Sequence, residues 1–264
     1  MTSICNDSRT TEELIKFALT EEDEGAVWET VEILQFRGNS EVFEAAQKLC
    51  ESNSPKERQL GVDLLGQLGI PDKTFPDESL AILLKLLDIE KDSNVLYSIG
   101  IALGHIQDSR AIPPLAKFKN HPNSDVRFGV VIGISCQENE LAISTLLELS
   151  SDEDEEVRNW ATFGLGSQIE ADTVEIREAL FQRLVEEDHE IRGEALVGLA
   201  RRRDERVIEP LIKELSSDSV GVLAVEAAQE IGDARLYSAL MQLKEWWNLD
   251  KDLLAKAINS CETK

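Results

Sequence analysis

The chain has 264 residues, and its 51 acidic against 27 basic residues give a formal net charge of -24. This charge argues against nucleic-acid binding, which needs clustered Lys and Arg, and a hydrophobic content of 42% excludes a disordered chain. No apolar run approaches the roughly 18–20 residues that cross a bilayer, and the first residues, 1–7, lack a signal-peptide pattern. We therefore expect a soluble, cytoplasmic protein that does not bind membranes.

A short string recurs six times: a helix-capping polar residue, two spacers, an apolar residue, often Arg, and then a small or apolar residue and Leu-Gly. It is clearest over residues 154–166. The first apolar positions are spaced by 38, 31, 31, 34 and 32 residues; they are Glu57 (where a charge replaces the apolar residue), Val95, Val126, Val157, Ile191 and Leu223. A fixed period in this range predicts a solenoid of stacked units.

Each copy has the pattern of one helix. The predicted N-caps, whose side-chain oxygens accept a free backbone N–H, are Ser54, Asp92, Asn123, Asp154, Asp188 and, before a last helix, Asp250. Positions +4 and +8 return to the face of the first apolar residue and predict the core. Glycines at +9 mark helix ends or close packing; they are Gly66, Gly104, Gly166 and Gly232.

Second amphipathic segments lie between the copies, at 80–87, 111–118, 141–149, 174–185, 207–215 and 236–246. Earlier segments at 12–19, 26–36 and 41–50 fit degenerate units, and 253–258 fits a capping helix. The pattern predicts an all-α solenoid of about 7–8 helix pairs with a period of about 31 residues. We expect one domain over 1–264, with degenerate repeats at 1–53, regular repeats at 54–247 and a C-terminal cap at 248–264.

The repeated motif D-x-x-V-R-x-x-A-x-x-x-L-G resembles the HEAT-like repeat of the phycobilin lyase family over roughly residues 54–247. More narrowly, the stretches 154–166 and 190–215 resemble HEAT-repeat proteins encoded beside Rhs toxin loci in enteric bacteria. The first resemblance implies the fold and leaves the function open, since this repeat serves many roles. The second implies a small bacterial protein that neutralises a toxin.

Metal-dependent chemistry is not expected. The HEAT-like enzyme deoxyhypusine hydroxylase holds two irons with His-Glu pairs, but the corresponding places here start at Arg58, Tyr97, Arg127 and Arg158, and the chain has three histidines. The one His-Glu pair, His189-Glu190, precedes its helix. The four cysteines, Cys5, Cys50, Cys136 and Cys261, form no C-x-x-C pair and fit a reducing cytosol. We predict no cofactor and no catalytic residue.

A binding surface is predicted where positions +2, +3, +6 and +10 of each copy point away from the core, towards the concave side of a solenoid. Apolar residues form one stripe across four copies of this grid: Tyr97, Ile101, Phe128, Ile132, Trp160, Phe163 and Val197. Acidic residues Glu194 and Glu226 lie beside it. Exposed apolar patches with Tyr and Trp mark interaction surfaces; in the alternative interpretation the face is rotated by one position and these residues belong to the core.

Two charge patterns have structural explanations. The acidic run 152–156 complements the dipole of a helix N-terminus, although it could instead dock a basic partner. The arginines that recur at position +1 are predicted to pair with acids of adjacent repeats; they are Arg58, Arg127, Arg158 and Arg192. Arg201–Arg203 close a helix, where cations are favoured.

The sequence therefore predicts a non-enzymatic, protein-binding scaffold, with a monomer favoured. Its most specific version is an acidic inhibitor or immunity protein that binds a basic partner, such as a nuclease-type toxin, on its concave face. The alternative is a bilin lyase or chromophore-handling subunit in which the aromatic stripe holds a tetrapyrrole.

Overall fold

The structure is a computed structural model that describes residues 7–262. Residues 1–6 lie outside the described residues. They include Cys5 and most of the N-terminal stretch in which the sequence shows no signal-peptide pattern. Between residues 7 and 262 the chain is helical and contains no strand, and none of these helices is long and apolar enough to cross a membrane. The fold class is the predicted all-α solenoid of helix pairs. Contacts divide the chain into two compact units, one ending at Gln137 and the other beginning at Glu138.

The first unit contains eight described α-helices: α1 (Thr11–Thr20), α2 (Glu24–Arg37), α3 (Ser40–Cys50), α4 (Pro55–Gly66), α5 (Pro76–Leu87), α6 (Ser93–Ile106), α7 (Ile112–Ala116) and α8 (Ser124–Ile134). They pair as α1 with α2, α3 with α4, α5 with α6 and α7 with α8. The second helices of neighbouring pairs also pack side by side, α4 on α6 and α6 on α8.

The second unit repeats this arrangement with eight more: α9 (Glu140–Leu149), α10 (Glu155–Phe163), α11 (Val174–Arg183), α12 (His189–Arg201), α13 (Ile208–Leu215), α14 (Val222–Ile231), α15 (Tyr237–Leu243) and α16 (Lys251–Cys261). Here α10, α12, α14 and α16 pack in series, each against the next. The number of helix pairs agrees with the prediction. The predicted domain limits at residues 53 and 247 stay predictions.

Capping explains where the second helices begin. The predicted N-caps accept backbone N–H groups through their side chains at five of six places: Asp92, Asn123, Asp154, Asp188 and Asp250. Ser54 makes no such bond, and the prediction of a side-chain cap there is wrong. The hydroxyl of Ser52 bonds the Glu57 carboxylate, and it accepts the N–H of Ser54 at 3.1 Å. Pro55 begins α4 at a position where a missing N–H is harmless.

The core follows the predicted spacing. Positions 0, +4 and +8 are buried throughout the four central copies, as in Val157, Ala161 and Leu165. The exceptions are Glu57 in the first copy and Leu223 and Ile231 in the last, which are partly exposed. Burying about one such side chain per turn of each second helix supplies the packing that stabilises the pairs.

Close packing between second helices requires glycine in the second unit. A Cβ built on Gly198 would lie 2.6 Å from the Cα of Gly166, which belongs to the neighbouring second-helix segment. The chain after α10 continues as a π-helical turn, Gly164–Gln168, rather than as the uninterrupted helix that the sequence pattern predicts.

The buried Arg202 stabilises this turn. Its guanidinium donates to the carbonyls of Leu165, Gly166, Ile169, Ala171 and Gly198 at 2.8–3.2 Å. The predicted structural role of Arg201–Arg203 is thus confirmed most fully at Arg202, whose side chain satisfies carbonyls that an irregular helix leaves open.

Candidate partner-binding cleft

The second helices α10, α12 and α14 carry the candidate site of the second unit. Because each packs against the next, residues on their non-core faces lie side by side. Four predicted site residues meet on this face: Trp160 and Phe163 on α10, Glu194 on α12 and Glu226 on α14. Each of the four is at least partly exposed.

Two aromatic rings form the apolar part of the cleft. The ring centroids of Trp160 and Phe163 lie 5.7 Å apart, with the ring planes at 89°. This edge-to-face contact is one of the geometries that aromatic quadrupoles favour, and it holds the Trp160 ring in a fixed orientation. The Trp160 side chain is 38% exposed, so the ring remains accessible.

Carboxylates surround these rings and are held by hydrogen bonds. The Asn159 amide donates to Glu190 at 3.3 Å, and the Ser167 hydroxyl donates to Glu194 at 3.0 Å. Arg201 bonds Glu226 at 3.0 Å. Neither Glu190 nor Glu194 has an ion pair among the interactions of the described residues, so both carboxylates are available to a cation.

The carboxyl of Glu194 has a raised pKa. Burial raises the pKa of its carboxyl, and the like charges of Glu226 and Glu190 add to this effect. The Ser167 hydroxyl and Arg201 oppose it, but the pKa remains above its usual value. A cation that bound beside Glu194 would relieve the repulsion among these carboxylates and lower this pKa again.

The cleft has a defined size and lining. The open cleft has a volume of about 330 Å³ and is lined by the aromatic pair, Asn159, Glu190, Glu194 and Leu223. A neighbouring cleft of about 450 Å³ shares Asn159, Trp160 and Glu190 and is bordered by Asp154, Glu155, Glu156 and Asp188. The acidic run thus both caps α10, through Asp154, and contributes charge to the surface beside Trp160.

The first unit holds the other predicted apolar residues. Tyr97 and Phe128, on α6 and α8, have ring centroids 6.1 Å apart, with the planes tilted by 30°. Ile101 and Ile132 lie one helical turn further along the same faces and, like both rings, are partly exposed. These four residues therefore form a second apolar patch. The continuity of the stripe between the two units stays a prediction.

Val197 does not belong to the exposed surface. Its side chain is 1% exposed, so the predicted orientation is wrong at this position. The cause is the close approach of α14: a Cβ on Gly193 would lie 2.6 Å from the Leu223 side chain. Val197 follows Gly193 by one helical turn on the same face and is covered in the same way.

Sequence reasoning missed two polar residues of the cleft, Glu190 and Asn159. Glu190 was noted only as part of a His-Glu pair expected to precede its helix, but that expectation is wrong because α12 begins at His189. Glu190 therefore lies on the helix four residues before Glu194 and shares its face. Asn159, whose amide donates to Glu190, occupies position +2 of its copy but was not selected as a site residue. Leu223 was predicted as core, and its partial exposure places it in the cleft lining.

Within residues 7–262, no group of three or more His, Cys, Asp or Glu side chains converges to hold a metal ion. The described cleft combines aromatic faces with carboxylates, which is the chemistry of cation recognition.

Comparison with known proteins identifies the protein family. The family described as HEAT repeats matches residues 80–166 and 143–232, together more than half of the chain, so the protein belongs to this family. It is similar to Protein YibA of Escherichia coli (strain K12), with 27% identity over 239 residues, covering 86% of this chain and 82% of that protein. The X-ray structure of E. coli YibA matches with a TM-score of 0.78 and 25% identity over 96% of this chain and 92% of that one.

A second solved structure shows the fold alone. The complex of CpcE and CpcF of phycocyanin lyase from Nostoc sp. PCC7120 matches with a TM-score of 0.51 and 16% identity, covering 99% of this chain and 97% of that one. The family and these structures identify a HEAT-repeat scaffold, a fold that supports protein binding.

Proposed function

We propose that this protein is a non-enzymatic binding scaffold whose cleft on α10, α12 and α14 holds a basic side chain of a protein partner. The observation that carries the proposal is the accessible Trp160 ring, fixed by Phe163 and flanked by Glu190 and Glu194. A guanidinium or ammonium group above such a ring gains a cation–π interaction, and the adjacent carboxylates supply its counter-charge.

The more specific proposal is an intracellular inhibitor or immunity protein that binds a basic toxin. The net charge of -24 supports it, because a negative field accelerates association with a cationic partner. The resemblance of residues 154–166 and 190–215 to proteins encoded beside toxin loci gives the biological context.

Bilin handling is the alternative. The accessible aromatic rings favour it, since they could stack on a tetrapyrrole. The acidic lining disfavours it, because the propionate carboxylates of a bilin would be repelled by Glu190 and Glu194. Titration of the protein with a free bilin, followed by absorbance, distinguishes the two: the scaffold proposal expects no stoichiometric spectral change.

Affinity capture with matched variants tests the proposal. Wild type, Trp160→Ala and Trp246→Ala would be used as baits in the native host, with captured proteins quantified by mass spectrometry. Trp246 is a suitable control because it is 51% exposed and lies outside the cleft lining. We expect a basic partner that is depleted with Trp160→Ala and retained with Trp246→Ala.

Growth rescue supplies the biological test. If the captured partner is a toxin, co-expression of wild type and of Trp246→Ala should restore growth of cells that express it, whereas Trp160→Ala should fail. An acidic partner, or one bound equally by both variants, would contradict the proposal.

A further inference from the structure

A separate cleft lies in the first unit, and no residue of the predicted apolar stripe lines it. Its volume is about 570 Å³, and its lining comes from the end of α1, from α2 and from α4. The floor is apolar, with Ala18, Val31 and Leu60 buried. The volume falls in the range of sites that enclose a side chain or a small ligand.

The chemistry of this cleft parallels that of the first. Trp28 is 57% exposed at its wall, and the acids Glu21, Glu22 and Glu24 line the same space. The single cation in the lining, Lys56, is held by the carbonyl of Leu19, to which its ammonium donates at 2.8 Å.

Asp63 lies in the lining without a counter-ion. It occupies position +6 of the first copy, which in the other copies of this unit holds Ile101 and Ile132. Its backbone carbonyl accepts the Gln35 amide at 2.8 Å, and its carboxylate accepts the Ser98 hydroxyl. Among the ion pairs of residues 7–262, none involves Asp63.

The carboxylate of Asp63 destabilises the folded protein when it is charged. Burial raises the pKa of Asp63 from 3.8 to about 6, and the Ser98 hydrogen bond offsets only part of that effect. A residue that is destabilising in its charged form and that faces a cleft is a candidate for ligand binding.

We infer that the cleft between α1, α2 and α4 is a second cation-binding site, in which Trp28 and Asp63 receive an arginine or lysine side chain of a basic protein partner. This inference rests on the proposed function, because the same partner would supply both cations. Two sites on one scaffold raise the affinity for a partner that reaches both, without any new contact at either site.

The test uses 5-fluorotryptophan and ¹⁹F NMR. The chain has four tryptophans, and Trp28→Phe and Trp160→Phe assign the two relevant resonances. A hexa-arginine peptide is the probe, and a hexa-glutamate peptide is the negative control. We expect hexa-arginine to shift the Trp28 resonance, with an affinity that Asp63→Asn weakens about threefold to tenfold.

Glu32→Gln is the matched control, because it removes one negative charge from an exposed position of α2 outside the cleft. It should leave the affinity read at Trp28 unchanged, and thermal unfolding verifies that both variants are folded. The Trp160 resonance reports independently on the proposed function.

Three outcomes would overturn the inference: no response of Trp28 to hexa-arginine, an equal response in Asp63→Asn, or a response to hexa-glutamate as well. If Trp160 still shifts in those cases, the second site fails and the proposed function stands. If Trp28 shifts and Trp160 does not, the first cleft fails instead.

Discussion

The guanidinium of Arg58 meets the carboxylate of Glu90, 32 residues later in the chain, through two parallel hydrogen bonds: Nε to Oε2 at 2.6 Å and Nη2 to Oε1 at 2.9 Å. The same guanidinium donates to the carbonyl of Ser52 at 3.0 Å. It therefore joins the loop before its own helix to the next helix pair. Bidentate geometry of this kind is specific to arginine.

This relationship recurs in the second unit. Arg158 donates to the carbonyls of Asp152 and Glu153 and lies 3.5 Å from Glu186. Arg192 repeats the pattern one copy later with Glu214, at 3.3 Å. The predicted pairing of position +1 with an adjacent repeat is confirmed for these arginines. Arg127 shows the same bond to its own loop, donating to the carbonyl of His121 at 2.8 Å.

Arg58→Met should lower the free energy of unfolding by about 2–3 kcal/mol. The Glu90 side chain is only 4% exposed, so loss of its partner leaves a nearly buried charge uncompensated. Burial alone would raise the pKa of Glu90, but Arg58 and the amides of Asp92 and Lys91 keep it below its usual value. Urea denaturation measures the effect.

Arg235→Met is the control for this prediction. Its ion pair with Asp233 lies on the surface, where the arginine side chain is 52% exposed, and we expect a much smaller loss of stability than for Arg58→Met because water screens the pair. Equal losses in the two variants would contradict a special role for the Arg58–Glu90 pair.

Arg202→Met should destabilise the protein by about 3 kcal/mol or more. The substitution leaves several carbonyls of the π-helical turn without a donor in a buried place, and each unsatisfied group carries a desolvation penalty. Arg203→Met, which removes an exposed arginine with one bond to the Ile231 carbonyl, should cost far less. Chemical denaturation measures the free energy of unfolding of both variants. Equal losses in Arg202→Met and Arg203→Met would contradict the stabilising role of Arg202.

Leu165→Ala should lower stability by about 2–5 kcal/mol, because Leu165 is completely buried and its truncation leaves a cavity. Trp160→Ala should cost less than about 1 kcal/mol, since its ring is partly exposed, while weakening partner binding by about 1–3 kcal/mol. Differential scanning calorimetry compares the stability of the two variants. If Trp160→Ala melted as early as Leu165→Ala, Trp160 would be a core residue and the cleft assignment would be wrong.

Asp63→Asn should stabilise the protein at neutral pH. The folded-state pKa of about 6 exceeds the usual 3.8, so the favourable contribution of a neutral Asp63 is complete below about pH 4 and is lost as the pH rises through 6. The variant lacks this loss, and its free energy of unfolding should exceed that of wild type by about 1–2 kcal/mol at pH 7.5. Denaturation at pH 4 and pH 7.5 gives the comparison; a less stable variant at pH 7.5 would contradict the cost assigned to this carboxylate.

Partner association should slow markedly between about 50 and 300 mM salt, with dissociation changing less, if the acidic surface steers a basic protein. Glu194→Lys and Glu226→Lys should reduce the association rate more than they raise the dissociation rate. Glu245→Lys makes the same charge change outside the cleft lining and should have a smaller effect. Surface plasmon resonance with the captured partner measures both rates, and rates indifferent to salt would leave the acidity without a role in binding.

The sequence by itself determined the repeat, the helices and the core. Spacing of about 31 residues and returns at +4 and +8 depend only on helical geometry, so residues such as Val157 and Leu165 could be assigned to the core from one chain. The capping aspartates were equally readable, because a short polar side chain before an apolar helix has few other roles.

Only the tertiary structure decided which non-core positions stay open. Ile101 and Val197 occupy the same place in the motif, yet Ile101 is partly exposed while Val197 is buried, because the glycine at 193 allows α14 to approach α12 closely. The clefts around Trp160 and Trp28 likewise depend on side chains from three or more chain segments, and Asp63 differs from other acids only through what covers it. Helical periodicity gives the direction of a side chain from its own helix, whereas burial, pKa and access depend on how closely the next helix packs, which no single segment encodes.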